Sequence, residues 1–220
     1  ELDFLDCPFD VLVAGCGTGS KAIQYAIAYG PQARVLAIDL SCASLAYASR
    51  MANQRGVGNI EFLQMDLLEL PRLDRSFDIV ECTGVLHHLQ DPLQGGRAVI
   101  SRVRAGGVVH ISLYSELARR GLVRVRRDYG LSPEMSDDEV RAFRYRLLVE
   151  RPDIVNKDLG LRWDFFDLSR CRDLLFHPLE HRFTLPQVAD YLNALKLQFR
   201  GLERPGIVRD QFWTFFPSDK

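Results

Sequence analysis

The first half of the chain alternates between two hydrophobic periods. Short continuous apolar runs are each followed by a stretch whose apolar positions recur every three or four residues, the pattern of buried strands and amphipathic helices in turn. The run VLVA (11–14) leads into a helical stretch with Ala22, Ile23, Ala26 and Ile27 on one face, stopped by Gly30 and Pro31. RVLAIDL (34–40) reads as a second strand, and Ser41 is placed to N-cap a helix carrying Leu45, Ala48, Met51 and Ala52. Gly56 and Gly58 interrupt before a third strand, IEFLQMD (60–66); a fourth, FDIVECT (77–83), follows a loop at Pro71. Asp91-Pro92 opens a helix with Leu93, Ile100 and Val103 inward. Ala105-Gly106-Gly107 is expected to end that helix before a fifth strand, VVHISLY (108–114). Strands separated by helices predict right-handed crossovers and an α/β fold, a doubly wound, mostly parallel sheet covered on both faces.

The rhythm stops after Tyr114. Residues 115–183 read as helical, Arg-rich segments without a clear strand. One begins at Ser136, where Ser136 and Glu139 fit a capping box ahead of an apolar stripe of Val140, Phe143, Leu147 and Leu148. The α/β pattern resumes with Thr184 as an N-cap before Pro186 and a helix marked by Val188, Leu192 and Leu195. LQFRGLE (197–203) and QFWTFFP (211–217) then read as strands of a C-terminal antiparallel hairpin. The expected organisation is an α/β core over 1–114, a helical insertion after the fifth strand over 115–183 lying above the strand ends as an acceptor cover, and completion of the core over 184–220.

Composition narrows the class. The 220 residues carry 28 basic and 29 acidic side chains, a formal net charge of -1, which gives no general attraction to nucleic acid or to an anionic membrane. The five cysteines are odd in number and scattered, with no C-x-x-C pair, so neither a disulfide framework nor a metal site is expected and a reducing cytoplasmic setting is. No apolar run is long enough to span a bilayer. The chain begins almost at its first strand, as one domain of a longer chain would.

The densest chemistry lies in Gly15-Cys-Gly-Thr-Gly19, directly after the first strand. Glycines there let main chain come within contact distance of a ligand. A dinucleotide fingerprint needs G-x-G-x-x-G, and its third glycine position is Ser20 here, so the turn suits a nucleoside better than a pyrophosphate. Cys16 and Thr18 fill the same loop, Cys16 as a small filler rather than a nucleophile. Asp39 closes the second strand, twenty positions past Gly19, where a carboxylate can accept from a ribose diol; the alternative is an N-cap, a task for which Ser41 is better placed. Asp66 closes the third strand and is either an acceptor for a purine amino group or an ordinary polar strand end. Leu40 and Leu67 offer apolar walls for such a ring, and Leu67 a main-chain N–H.

These residues match a family. VLVAGCGTG, the acids of AIDL and QMDL, and FDIVECTGVLHHLQDP after the fourth strand stand in an order and spacing similar to the class I S-adenosylmethionine-dependent methyltransferases, especially the small type 11/12 group. The match covers residues 10–114. LYSELARR and DLLFHPLEHRFTLPQVADYL also resemble methyltransferase domains attached to tetratricopeptide-repeat proteins. The resemblance implies a Rossmann-like core, S-adenosylmethionine as cofactor with S-adenosylhomocysteine as product, and contacts from Gly15, Cys16, Gly17, Thr18, Gly19, Asp39, Leu40, Asp66, Leu67, Cys82 and Thr83. One departure stands out: the family's acid two positions before the first glycine is Val13 here, and main-chain carbonyls near Gly15 and Cys82 are the substitutes.

His87, His88 and Tyr114 are the catalytic candidates. A histidine there is either a general base or part of a segment packed over the cofactor; alignment alone supplies much of the rate of methyl transfer from a sulfonium. The arginines of the insert are interleaved with acids, which favours a solvated helical face over a nucleic-acid surface, and a small molecule or protein side chain as acceptor. His177 and His181 lack a clear third ligand in sequence and read as structural. Two rival functions stay open: a cofactor-binding module without turnover, and a nicotinamide-dependent oxidoreductase.

Overall fold

The computed structural model describes residues 7–157, 159 and 163–203. Among the described residues, five parallel strands form the central sheet in the order β3-β2-β1-β4-β5: β1 Phe9–Ala14, β2 Ala33–Asp39, β3 Ile60–Gln64, β4 Phe77–Cys82 and β5 Val103–Ile111. Helices α1 (Ser20–Tyr29), α2 (Cys42–Gln54) and α3 (Pro92–Ile100) make the crossovers. The chain winds outward from β1 in one direction, then returns to β4 on its other side. Such a reversal opens a crevice beyond the strand carboxyl ends, where ligands of doubly wound sheets bind.

The expected caps form. Ser41 accepts from Ser44 N at the start of α2, and Asp91 accepts from Leu93 and Gln94 N at the start of α3. Every residue of β1 is buried, as a central strand covered on both faces requires. One apolar cluster lies on the α1 side of the sheet around Val11, Val13, Ala22 and Ala26. The other, around Leu12, Leu36, Leu70, Phe77 and Val99, takes in Tyr191 from α8 (Leu185–Ala194) and Leu195 directly after it. Asn59 Nδ2 donates to the carbonyls of Ala26, Gly30 and Ala33, fastening the end of α1 to the start of β2.

Among the described residues, 116–176 carry four α-helices, α4 (Glu116–Asp128), α5 (Asp137–Glu150), α6 (Pro152–Lys157) and α7 (Leu168–Phe176). They enclose a separate cluster built on Leu122, Val125, Val140, Phe143, Leu147, Phe165, Leu174 and Leu175. The capping box of Ser136 and Glu139 is present at α5, and a second joins Thr184 to Gln187 at α8.

Several expectations are corrected. Helix α3 ends at Ile100, so Val103 belongs to β5. Ala105-Gly106-Gly107 lies inside β5 rather than at a helix end. The register against β4 jumps there from Phe77↔Val103 to Ile79↔Val108. A Cβ on Gly107 would lie 2.8 Å from the Asp78 carbonyl oxygen, so the glycines permit a bulge in close contact with β4. Tyr114 is not at the end of the fifth strand but begins a two-residue strand, β6 (Tyr114–Ser115), which pairs in parallel with β7 (Arg182–Phe183); the segment read as strandless therefore has this short pair at its ends. Residues 197–203 form no strand, although their alternation suggested one; among the described residues β5 is the last strand of the sheet and nothing pairs with this segment. The partner strand expected over 211–217 lies outside the described residues. On α8 the residue that enters the core is Tyr191, followed by Leu195 just past the helix, with Val188 and Leu192 only half-buried.

Candidate functional site

Four strand ends bring the expected residues to one edge of the sheet. The glycine turn follows β1, Asp39 ends β2, Asp66 stands two residues beyond β3, and Thr83 follows β4. The turn is held against β2, with the amides of Gly15 and Cys16 both donating to the Ile38 carbonyl at 2.9 Å.

Two glycines of the turn do different work. Gly15 has φ +75, and a Cβ there would lie 2.2 Å from Val85 Cγ2, so its smallness serves packing against the loop after β4. Gly17 has φ +53, and a Cβ there would meet nothing within 4 Å. The left-handed backbone favours a glycine at that second position, and the open side leaves room for main chain to approach a ligand.

The Asp39 carboxylate accepts from Gly17 N at 2.7 Å and Ser41 N at 2.9 Å. It thus fixes the middle of the turn to the end of β2, with acceptor capacity remaining for a diol. Asp66 is exposed and accepts from Leu68 N at 2.9 Å, which makes it the cap of a short 3-10 turn over Leu67–Arg72. Leu40 is 68% exposed and can wall an aromatic ring. Leu67 cannot: its side chain enters the core, leaving only main chain for the ligand. Cys82 is likewise buried in the core, and its carbonyl accepts from Ser112 N at 3.2 Å. Burial, then the charge of Asp39, pushes the Cys16 thiol up to about 12, so it is protonated and inert at neutral pH.

Two residues missed in the sequence complete this edge. Lys21, in the first turn of α1, donates to Thr83 Oγ1 at 3.4 Å, a link invisible without the crossover that brings α1 beside β4. Glu81 stands beside Val13 in the β1–β4 register and is 6% exposed. Burial raises its pKa, opposed by His110, whose Nδ1 lies 2.6 Å from its carboxylate. A carboxylate thus lies one strand over from the position where Val13 replaces the family's acid.

The three catalytic candidates meet in one aromatic stack. His87 and Tyr114 stack with ring centroids 3.6 Å apart, and His88 packs edge-on against both. His87 is fully buried, and neither ring nitrogen has a hydrogen-bond partner among the described residues; the nearby Ser112 main chain favours the charged ring without forming a bond of normal geometry. Burial first, then His88, lowers its pKa to about 4, so the ring is neutral at pH 7. In this arrangement Tyr114 and His88 cover His87, and a nucleophile has no path to its nitrogens. Behind Tyr114, the Arg119 guanidinium sits 4.0 Å from the ring centroid and pairs with Glu180, both side chains almost wholly buried. Burial acts to raise the Glu180 pKa, but the bond and charge of Arg119 prevail and hold it below the usual range.

A cleft of about 1210 Å³ runs beside β5, between Val108–Tyr114 on one side and α8 with residues 197–203 on the other. It is distinct from the crevice at the glycine turn and touches that crevice's surroundings at Lys21 and Thr83. Leu117, Leu185, Val188 and Leu192 make much of its wall apolar.

The model of the methyltransferase domain family matches residues 11–107. An uncharacterised protein of Synechococcus sp. is 41% identical over 110 residues, covering 50% of this chain and 26% of that protein. A ubiquinone biosynthesis O-methyltransferase of Acinetobacter baumannii is 36% identical over 103 residues, covering 46% of this chain and 42% of that one. The chain therefore spans less than half the length of these curated relatives. PKMT2 from Rickettsia typhi, solved in complex with AdoHcy, superposes with a TM-score of 0.65 at 15% identity over 94% of this chain and 44% of its own, a likeness of fold that extends beyond the sheet. No helix among the described residues is long and apolar enough to cross a membrane.

Proposed function

We propose that the chain carries a class I S-adenosylmethionine-dependent methyltransferase domain and that it methylates an oxygen or nitrogen nucleophile on a small molecule or a protein side chain. The reading rests on one observation above the others. The strand-order reversal between β1 and β4 gathers the glycine turn, Asp39, Asp66 and Thr83 at one edge, with Gly17 open on the side its missing Cβ would face.

In this proposal the main chain at Gly17 lies against the cofactor, Asp39 accepts from the ribose hydroxyls, and Asp66 with the Leu67 main chain addresses the adenine edge. Leu40 covers one face of the ring. Lys21 and Thr83 face the amino-acid portion, with Glu81 and the Cys82 carbonyl behind them in place of the acid absent at Val13. When bound, the cofactor supplies an electrophilic methyl on sulfur whose departure as a neutral thioether needs no acid. The chain's task is then alignment of the nucleophile. His87, neutral and enclosed, supports Tyr114 rather than taking a proton, and the proton that the nucleophile loses passes to solvent. The acceptor approaches past Tyr114 from the apolar cleft. The arginines of 116–182 support this choice of acceptor over nucleic acid, because several are already paired: Arg119 with Glu180, Arg141 with Asp138, Arg151 with Asp153, Arg172 with Asp137 and Arg182 with Glu116.

Calorimetric titration with S-adenosylhomocysteine and, separately, NADH tests the cofactor assignment. Binding of the first and not the second is expected; binding of NADH alone refutes it. A screen with methyl-labelled S-adenosylmethionine over lysate fractions tests turnover. Label in a discrete acceptor fraction is expected. Tight cofactor binding with no label anywhere supports the alternative that the replacement at Val13 and the enclosure of His87 favour, a binding module without turnover.

A further inference from the structure

We propose that His88, Asp173 and His177 bind a single first-row divalent cation, zinc by preference, which fastens the turn after β4 to α7. The three residues each offer a ligand atom, and these atoms lie within 4.8 Å of one another. They come from sequence positions that only the fold brings together. His88 stands in a 3-10 turn over Leu86–His88, Asp173 in α7, and His177 directly after that helix.

One carbonyl orients both rings. His88 Nδ1 lies 2.8 Å, and His177 Nδ1 2.6 Å, from the Leu179 carbonyl oxygen. A carbonyl only accepts, and its two lone pairs can serve both rings, so both Nδ1 atoms carry the proton. The Leu179 amide, 3.2 Å from His177 Nδ1, then has no lone pair to find there, and the shorter contact decides the tautomer. Both Nε2 atoms are left as lone-pair donors. This is the arrangement by which outer partners prepare imidazoles for a metal.

The spacing supports a cation over a hydrogen bond. His88 Nε2 is buried without a hydrogen-bond partner among the described residues. It faces Asp173 Oδ1 at 3.6 Å, too long for a hydrogen bond. Two ligands on a tetrahedral zinc, each 2.0–2.1 Å from the metal, stand about 3.3 Å apart. An unprotonated nitrogen facing a carboxylate oxygen is repulsive unless a positive charge lies between them. The rings of His88 and His177 pack with 3.7 Å between centroids and 32° between planes. Asp173 is 57% exposed, so a fourth position opens to water. Two imidazoles and one carboxylate suit zinc or cobalt rather than magnesium or calcium, which take oxygen ligands.

The test is titration of the purified chain with Zn²⁺ by calorimetry and with Co²⁺ by visible absorption. One equivalent bound is expected, with cobalt d–d bands lacking thiolate charge transfer, no response to Mg²⁺, and a rise in melting temperature with Zn²⁺. Asp173→Asn and His177→Gln should each weaken binding about tenfold or more while melting normally without metal; Asp173 is exposed, so that variant is expected to fold. No binding of either metal by the unaltered chain, undiminished binding in both variants, or thiolate bands from cysteine sites would overturn the proposal. None of these readouts depends on methyl transfer, so failure of the methyltransferase reading would leave them unchanged.

Discussion

Acidification should destabilise this protein through His87 in particular. The ring is fully buried against Tyr114 and its pKa is about 4, lowered chiefly by burial. In the unfolded chain the same group titrates near 6.5. Below that value the unfolded state takes up a proton that the folded state refuses, so stability falls as pH falls, until the folded ring also titrates near pH 4. Between pH 7 and pH 5 the loss attributable to His87 is about 2 kcal/mol. Other groups titrate over the same window, so the useful quantity is a difference. His87→Phe keeps an aromatic ring against Tyr114 and removes the proton. Urea unfolding of both proteins at pH 7 and pH 5 should show the unaltered chain losing about 2 kcal/mol more than the variant. For a chain of this length that corresponds to a differential melting shift of roughly 4–8 °C. The comparison is of slopes and does not require equal stability at pH 7. Parallel pH profiles would show that His87 is solvated or hydrogen-bonded in the folded state, and the account of the aromatic stack would fail with it.

Other perturbations separate packing from ligand contact. Gly15→Ala must place a methyl against Val85 at φ +75 and should cost roughly 2–4 kcal/mol by denaturant unfolding. Gly17→Ala meets no protein atom; it should cost only the left-handed backbone strain of about 1–2 kcal/mol, yet abolish measurable S-adenosylhomocysteine binding, and calorimetry showing full affinity would refute the ligand role of that position. Asp39→Asn should weaken the same binding about 10- to 100-fold, the worth of charge-assisted hydrogen bonds, and unchanged affinity would remove Asp39 from the ribose. Glu180→Gln strands the buried Arg119 guanidinium and should destabilise by about 3–5 kcal/mol; a near-neutral result in thermal unfolding would mean water reaches that pair.

Much of the α/β half was legible because its signals are local. Ser41, Asp91 and the run VLVA each act within a few residues of their position, and they mark α2, α3 and β1. Asp39 and the glycine turn could be found by spacing for the same reason. The extent of β5 was not legible, because Gly106 and Gly107 carry the same composition whether they end a helix or bulge a strand, and only the Asp78 carbonyl on the neighbouring strand decides. Leu67 read as a binding wall because its burial depends on α3 and β4 rather than on its neighbours in sequence. His177 read as structural because its prospective partner His88 is 89 positions away, and Glu81 passed as an ordinary strand residue until the register set it beside Val13.

The cluster enclosed by α4, α5, α6 and α7 shares no residue with either cluster flanking the sheet. Among the described residues, the contacts between these bodies include ionic and aromatic ones made by Tyr114, Arg119, Glu180 and the histidines. Parting that junction would uncover a buried ion pair and a buried neutral ring. Each body has its own apolar interior, so slow amide exchange should persist inside each one longer than along the boundary between them.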